Sequence, residues 1–489
     1  MSACPEARSA PPRTPDATAR FLARAHALLG PRGFTSDPDL LVPWLTDWRG
    51  RYTGRALAMA SPATTAEVAA LVQLCGEYGV PIVPQGGNSG MAGGATPDAS
   101  GAAIILSLRR MNTIRALDPA AGQVVCEAGV VLQTLHEAAE AAGMRFPLTL
   151  GGKGSATIGG LIATNAGGTQ VLRYGTMRAQ VLGLEAVLAS GEVFDAMSVL
   201  KKDNRGFDLK QLLIGSEGTL GIVTAACLRL LPAPTARVTI WAGLATITAA
   251  RSLLQRMTAR LGDALEGFEV VPAHCLESVL AHQSAARAPL AGGHAWNALI
   301  EFMSSSLDPA ALREAAEAAL AEALEEGLLD DAVFAASERQ ADEFWALRDG
   351  ISAAERALGP AMQHDISVPV EHMPEFILAA SPALEAQFTG CRAVAFGHLG
   401  DGNVHFHVLA PKGAVPGQWE ESEGKAISAR VYDLVREWGG SISAEHGIGQ
   451  MKVDELARLT DPVRLGMMRA VKAALDPAGL LNPGKLLKA

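Results

Sequence analysis

Apolar positions recur at helical spacing over Ala17–Leu29, up to Gly30, and again over Thr65–Tyr78 and Leu132–Ala142. Between them lie short apolar runs suited to strands, at Pro81–Val83, Ala103–Leu108 and Gln123–Glu127. Helices interleaved with short strands predict α/β packing. Leu41–Tyr52 carries Trp44, Trp48 and Tyr52, which we read as packing residues. After Pro232-Ala233-Pro234 the rhythm changes. Strand-like VTIWAGL, AWNALIEFM and ISVPV alternate with helical patterns at Ala249–Leu261 and Pro309–Glu325, predicting a separate α+β layer on an antiparallel sheet. Lys425–Trp438 and Asp461–Leu475 read as further helices, the last stopped by Asp476-Pro477. The chain shows no internal repeat.

Ala393–Val408, AVAFGHLGDGNVHFHV, has two apolar runs around a Gly-Asp-Gly-Asn turn, the composition of a β-hairpin. A strand through Val404–Val408 puts His405 and His407 on one face and Val404, Phe406 and Val408 on the other, while His398 ends the preceding strand. His446 follows Glu445 in SAEHGIG, so four of the eleven histidines fall between His398 and His446. That clustering points to a divalent metal or to acid/base chemistry.

Two glycine-rich stretches precede it. Gln85–Gly94 holds five glycines and Gly151–Gly168 seven. Glycine admits positive φ and lets amide N–H groups approach a ligand with no Cβ in the way, which suits a pyrophosphate. Neither stretch has the GxGxxG or Walker spacing, which weakens the nicotinamide-type Rossmann and nucleotide-triphosphatase readings. Two such loops, each beside a short strand, predict a large phosphorylated cofactor. A third tight turn, Ser216–Val223, leads into the β-rich run that ends at LRLLPAP.

Composition trims the remaining possibilities. At 489 residues the chain exceeds what one core usually serves, so two domains are expected. A net charge of −10 with no Lys/Arg stripe argues against nucleic acid. No run of about 18 apolar residues predicts a transmembrane helix. The six cysteines contain no CxxC pair and read as reduced thiols of a cytoplasmic protein, with no iron-sulfur cluster encoded. Met1–Thr18 is proline-rich and lacks the apolar core of a secretory signal, so residues 1–20 read as a disordered lead.

PQGGNSGMAGG, GGKGSATIGGLIATNAGG followed by RYGT, KDNRGFDLKQLLIGSEGTLGIVT, GHLGDGNVHFHV, SAEHGIG and LLNPGKLL stand in that order. Together they resemble the FAD-dependent D-2-hydroxyacid dehydrogenases of the vanillyl-alcohol-oxidase superfamily, and most of all its D-2-hydroxyglutarate dehydrogenases. The resemblance covers about Leu40 to the C-terminus. It implies an α+β fold: a two-subdomain FAD-binding domain over 21–234, an α+β substrate or cap domain with an antiparallel sheet over 235–440, and a segment 441–489 returning to the flavin. The first loop (Pro84, Gly86, Gly87, Asn88, Ser89, Gly90, Met91) would wrap the FAD pyrophosphate. The second stretch (Pro147, Gly151, Ser155, Gly159, Gly160, Thr164, Asn165, Gly168) would line the flavin, together with Gly221, Ile222 and Asn482. Covalent members carry a histidine in the first loop where this chain has Asn88, so FAD is expected without a covalent link.

The resemblance also splits the histidine cluster. His398, His405 and Glu445 match the residues that hold a divalent metal, zinc, and His446 matches the catalytic base. Arg348 and Ser352 match an Arg and a Thr that bind substrate. His407 stands where the family commonly has asparagine and Gln363 where it usually has lysine, and both are assigned to substrate binding. The implied reaction oxidises a small anionic D-2-hydroxy acid, D-2-hydroxyglutarate first, to the 2-oxo acid, with hydride passing to flavin N5. Electrons would leave to an external acceptor, an electron-transfer flavoprotein, a quinone or a cytochrome, and a homodimer is the implied assembly. A D-lactate, D-malate or glycolate-type dehydrogenase is the alternative that Gln363 favours. A metal-dependent hydrolase and a non-catalytic flavin subunit are the rival classes, opposed respectively by the glycine loops and by His446 with the metal set.

Overall fold

The computed structural model describes residues 14–488. The chain divides into two compact units, the first comprising residues up to Gly167, Thr176–Pro232 and Glu445 onward, the second Gly168–Gly175 and Ala233–Ala444.

The first unit opens on a helix, Pro15–Leu29, capped by the Thr14 hydroxyl. The lead expected to be disordered through residue 20 is therefore helical from Pro15, and its residues 1–13 lie outside the described ones. A four-stranded sheet follows, built from β1 (Phe34–Thr35), β2 (Ala58–Ala60), β3 (Ile82–Gln85) and β4 (Ile104–Ser107) in the order β1-β2-β4-β3. β2 and β3 run parallel to β4. The helix Thr65–Tyr78 supplies the crossover. Thr64 caps it by accepting from the Glu67 amide at 3.1 Å, Glu67 accepts in turn from the Ala63 amide, and Gly79 ends it at φ 63°. Phe21, Leu71, Ile82 and Ile104 fill the core beneath this sheet.

The rest of the first unit is a five-stranded antiparallel sheet of β5 (Ile114–Asp118), β6 (Gln123–Glu127), β8 (Val181–Val187), β9 (Val193–Ala196) and β10 (Ile222–Arg229), ordered β5-β6-β10-β8-β9. A two-residue pair joins β7 (Met144–Arg145) to β11 (Leu231–Pro232). Leu135, Ile158, Leu184 and Leu228 belong to its core. Trp48, read from sequence as a packing residue, is 60% exposed.

The second unit is a seven-stranded antiparallel sheet, β15-β12-β14-β13-β17-β18-β16. Its strands are β12 (Ala236–Leu244), β13 (Leu265–Pro272), β14 (Trp296–Ser304), β15 (Asp331–Phe334), β16 (Ala361–Ser367), β17 (Arg392–His398) and β18 (Asn403–Leu409). The unit also takes in Gly168–Gly175, which the sequence reading gives to the flavin domain. Trp241, Phe344, Val394 and Phe396 pack together between this sheet and the helices Glu338–Asp349 and Ile351–Leu358.

The β17–β18 hairpin sets the histidines. Gly397 sits at φ 152°, and a Cβ there would lie 2.3 Å from the Asn403 carbonyl oxygen. Only glycine lets the two strands close this tightly, directly beside His398.

Candidate active site

In the first unit the two glycine stretches form the walls of a cleft. Pro84, Gly86, Gly87, Asn88, Ser89 and Gly90 line it from the first stretch, Gly159, Gly160 and Thr164 from the second, and Gly221 and Ile222 from the turn before β10. The loops meet backbone to backbone: a Cβ on Gly87 would fall 1.7 Å from the Ser155 carbonyl oxygen. Gln85 closes the first loop, its amide donating to the carbonyls of Trp44 and Ala95 at 3.0 and 2.9 Å. Asn88 takes φ 51° and donates to the Thr46 carbonyl at 2.8 Å. Such a conformation suits asparagine better than most residues.

His446 lines the same cleft. Its loop is tied down by Glu217, which stands at φ 53° in the Ser216–Val223 turn. One carboxylate oxygen accepts from the Ile448 amide at 2.8 Å and the other from the Gly449 amide at 2.7 Å. Burial pushes the Glu217 carboxyl above its ordinary range, and the two amides and Lys452 oppose that. Asn482 completes the clasp by donating to the carbonyls of Gly94 and Glu217 at 3.0 and 2.8 Å.

Other residues assigned to the cofactor stand off the cleft wall. Met91 accepts from Arg49 Nε at 3.3 Å, and Asn165 Oδ1 accepts from the Thr176 hydroxyl and the Arg178 amide, both at 2.9 Å. Pro147, Gly151, Ser155 and Asn482 do not line the cleft, and Gly168 belongs to the second unit. The walls nevertheless fit a phosphorylated cofactor: glycine backbone faces the space, and the buried Thr157 hydroxyl in the wall has no hydrogen-bond partner among the described residues.

In the second unit, Arg348 from the helix Glu338–Asp349 reaches a cluster on the sheet. Its Nη2 lies 3.2 Å from Nε2 of His398 and 3.2 Å from Nε2 of His405. Its Nε donates to Glu269 at 2.8 Å, and the other Glu269 oxygen accepts from Nδ1 of His398 at 2.5 Å. Glu269 and His398 are register partners across β13 and β17. A guanidinium only donates, so Nε2 is the side of each imidazole that can accept from Arg348. Removal from water, with Arg348 and His398 adding to it, drives the His405 imidazole well below its ordinary range. Burial would raise the Glu269 carboxyl, but His398 and Arg348 outweigh it and hold it at about 2. Two imidazole nitrogens converging on one cationic group, one of them oriented through its other nitrogen by a carboxylate, is a donor set that fits a divalent metal. Glu445, the third residue assigned to the metal, begins the last stretch of the first unit.

His407 shares the His405 face of β18, as strand periodicity predicts, with ring centroids 6.4 Å apart. It does not join the Arg348 cluster. Its Nδ1 donates to Glu355 at 2.6 Å, and Gln363, its register partner on β16, donates to the other Glu355 oxygen at 3.0 Å. Ser352 is exposed on the helix that carries Glu355.

Residues 56–196 match the family described as FAD binding domain, and residues 233–486, more than half of the chain, match the C-terminal domain of FAD linked oxidases. Over 94% of its length the chain is 36% identical to the mitochondrial D-2-hydroxyglutarate dehydrogenase of Arabidopsis thaliana, covering 80% of that protein. It is 38% identical over 92% of its length to the Bos taurus enzyme of the same name, again covering 80%, and 37% identical over 93% to the D-2-hydroxyglutarate dehydrogenase of Xanthomonas citri, covering 94%. The chain belongs to the FAD-dependent D-2-hydroxyacid dehydrogenases. The dehydrogenase shares its fold with solved structures of low sequence identity. p-Cresol methylhydroxylase is similar with a TM-score of 0.74 at 18% identity, covering 97% of both chains. 4-Ethylphenol oxidase from Gulosibacter chungangensis is similar with 0.71 at 19%, covering 97% of this chain and 98% of that one. No helix among the described residues of this dehydrogenase is long and apolar enough to cross a membrane.

Sequence reading missed three carboxylates of the dehydrogenase: Glu217, Glu269 and Glu355. Glu217 could be found only as an acid inside a glycine turn. Glu269 and Glu355 lie far in sequence from the histidines they hold and carry no local signal.

Proposed function

We propose that this dehydrogenase oxidises D-2-hydroxyglutarate to the 2-oxo acid, with His446 as the base that takes the C2 hydroxyl proton. The observation that carries the reading is His446 in the wall of the glycine cleft, in a chain of this family. When bound, non-covalent FAD supplies the two-electron acceptor for the C2 hydride. Asn88, turned into the Thr46 carbonyl, offers no imidazole for a covalent link.

Arg348 is assigned to substrate binding, where a guanidinium makes charge-assisted, paired contacts with a carboxylate. His398 and His405 with Glu445 are assigned to a divalent metal, zinc, which would supply a Lewis acid for the substrate's oxygens. Glu269 fixes the His398 tautomer so that its Nε2 stays a ligand. The base works by proton transfer from the hydroxyl, a step worth roughly 10²- to 10⁴-fold. Reoxidation is assigned to an external acceptor such as electron-transfer flavoprotein, a quinone or a cytochrome. We place the enzyme in the cytoplasm, supported by five described cysteines that are buried and form no disulfide among the described residues.

One observation favours a second reading. Gln363 and His407 both donate to Glu355, which supports a shorter substrate of the D-lactate, D-malate or glycolate type.

An anaerobic panel of D- and L-2-hydroxy acids, scored by bleaching of the flavin, tests the assignment. D-2-hydroxyglutarate should bleach it and the L-acids should not. His446→Ala should retain FAD and lose bleaching by at least about 100-fold, and unimpaired bleaching in that variant excludes the base. Exhaustive chelation should abolish turnover with FAD still bound; activity that survives a metal content below one-twentieth of the enzyme, roughly, removes the metal from the mechanism.

A further inference from the structure

Of the aromatic residues Trp44, Trp48 and Tyr52, the outer two pack and the middle one does not. Trp44 rests on the cluster of Leu41, Met59 and Ile105, and a Cβ on Gly93 would lie 2.7 Å from the Tyr52 ring. Trp48 is 60% exposed. A single exposed apolar side chain needs no explanation by itself, but the backbone here is built to present this one. Thr46 and Thr53 pair as an antiparallel bridge. Asp47 is buried, and its carboxylate accepts from the Tyr52 amide at 2.6 Å and the Arg49 amide at 3.2 Å. The Gly50 amide donates to the Asp47 carbonyl at 2.9 Å, with Gly50 at φ 68°. The turn is fixed from inside while Trp48 stands in solvent.

This turn is fastened to the wall of the cofactor cleft. Asn88, which lines the cleft, donates to the Thr46 carbonyl at 2.8 Å, and Arg49 Nε donates to the Met91 sulfur at 3.3 Å. Trp48 follows Thr46 by two residues, so their Cα atoms are within about 8 Å of each other, at about 3.8 Å per step. Arg49 and Arg51 flank Trp48, and Arg51 is exposed. The acid of the turn, Asp47, has its carboxylate occupied by the two amides. A cationic, aromatic tip therefore projects beside the cofactor loop of a chain whose net charge is −10.

We propose that the Trp48 turn is the docking site of the external electron acceptor, a soluble one-electron carrier protein with acidic residues around its redox group. The inference rests on the dehydrogenase reading above, in which FAD reduced by substrate is reoxidised from outside. Reduced FAD gives up two electrons, one to each of two oxidised carrier molecules, and its N5 proton passes to water. Tryptophan and arginine are the residues that anchor protein interfaces most often, and a turn already rigid loses little freedom on binding. Cations at the tip of an otherwise acidic molecule orient an acidic partner onto that tip and away from the rest of the surface. One tryptophan offers too little apolar surface to hold a bilayer, and the acidic chain is repelled by anionic lipid, which favours a protein over a membrane.

The test supplies FAD-loaded enzyme and D-2-hydroxyglutarate with three acceptors. These are a small redox dye, native cytochrome c with its basic rim, and succinylated cytochrome c, the same haem protein with its lysines turned into carboxylates. At low salt the succinylated form should be reduced at least about tenfold faster than the native form, and added salt should shrink the difference. Trp48→Ala and Arg51→Glu should each lower kcat/KM for the succinylated form at least about fivefold and leave dye turnover as in the wild type. Native cytochrome c reduced as fast as the succinylated form, or a carrier rate unmoved in either variant, overturns the proposal. A parallel loss of dye turnover also overturns it and makes the turn structural. Binding to phosphatidylglycerol vesicles that Trp48→Ala abolishes gives the surface to a membrane instead and overturns it as well. An enzyme that passes electrons to none of the three acceptors, with any acid of the panel above, refutes the hydroxy-acid reading itself. Dye turnover without discrimination between the two carriers refutes only the role of the Trp48 turn.

Discussion

A single side chain, Glu217, holds the loop that carries His446. Its carboxylate is the partner of two consecutive backbone amides, Ile448 and Gly449, immediately after His446 and Gly447. Buried amides left without an acceptor cost about 1–3 kcal/mol each. Glu217→Ala should therefore destabilise the protein by about 2–4 kcal/mol in urea unfolding and lower kcat more than it weakens FAD binding. Glu217→Gln preserves one acceptor oxygen and should recover part of the stability. If Glu217→Ala leaves both kcat and the unfolding midpoint at wild-type values, the two amides find other partners and the clasp is dispensable.

At the level of elements, legibility followed the range of the interactions. The helices Thr65–Tyr78 and Pro309–Glu325 and the strand Gln123–Glu127 were readable to the residue, because capping residues, helical spacing and alternation are written locally. The hairpin of β17 and β18 was readable for the same reason, down to the shared face of His405 and His407. The strand read at ISVPV lies mostly outside β16, which runs Ala361–Ser367 and stops before Pro369, a residue that cannot donate to the ladder. Pairing across distant strands left no such trace. Nothing near Glu269 announces that β13 brings it opposite His398, or that the helix Ile351–Leu358 points Glu355 at His407. The glycine loops were legible as loops, but their mutual contact was not, since the approach of Gly87 to Ser155 joins residues far apart in the chain. Family resemblance supplied roles for the histidines that periodicity alone could not separate.

Over the whole molecule, buried carboxylates of opposite behaviour shape the response to pH. The chain carries a net charge of −10 with a pI near 5.6. Glu355 is held below its ordinary range, so its contribution to stability is complete above pH about 4.5, the value it takes in the unfolded chain, and is lost as the pH falls through its depressed folded value. Glu301, which accepts from Arg237, Thr239 and Trp345, is pushed the other way by burial. The folded state therefore binds that proton more readily, and its contribution is present at low pH and declines as the pH rises past the ordinary carboxylate range. Their slopes oppose each other on the acid side. Urea midpoints measured between pH 7 and pH 3.5, roughly, should fall less in Glu355→Gln than in the wild type. In Glu301→Gln they should fall more, because the variant lacks the group whose protonation favours the fold. Parallel curves for all three proteins would mean that neither carboxylate changes its proton affinity on folding.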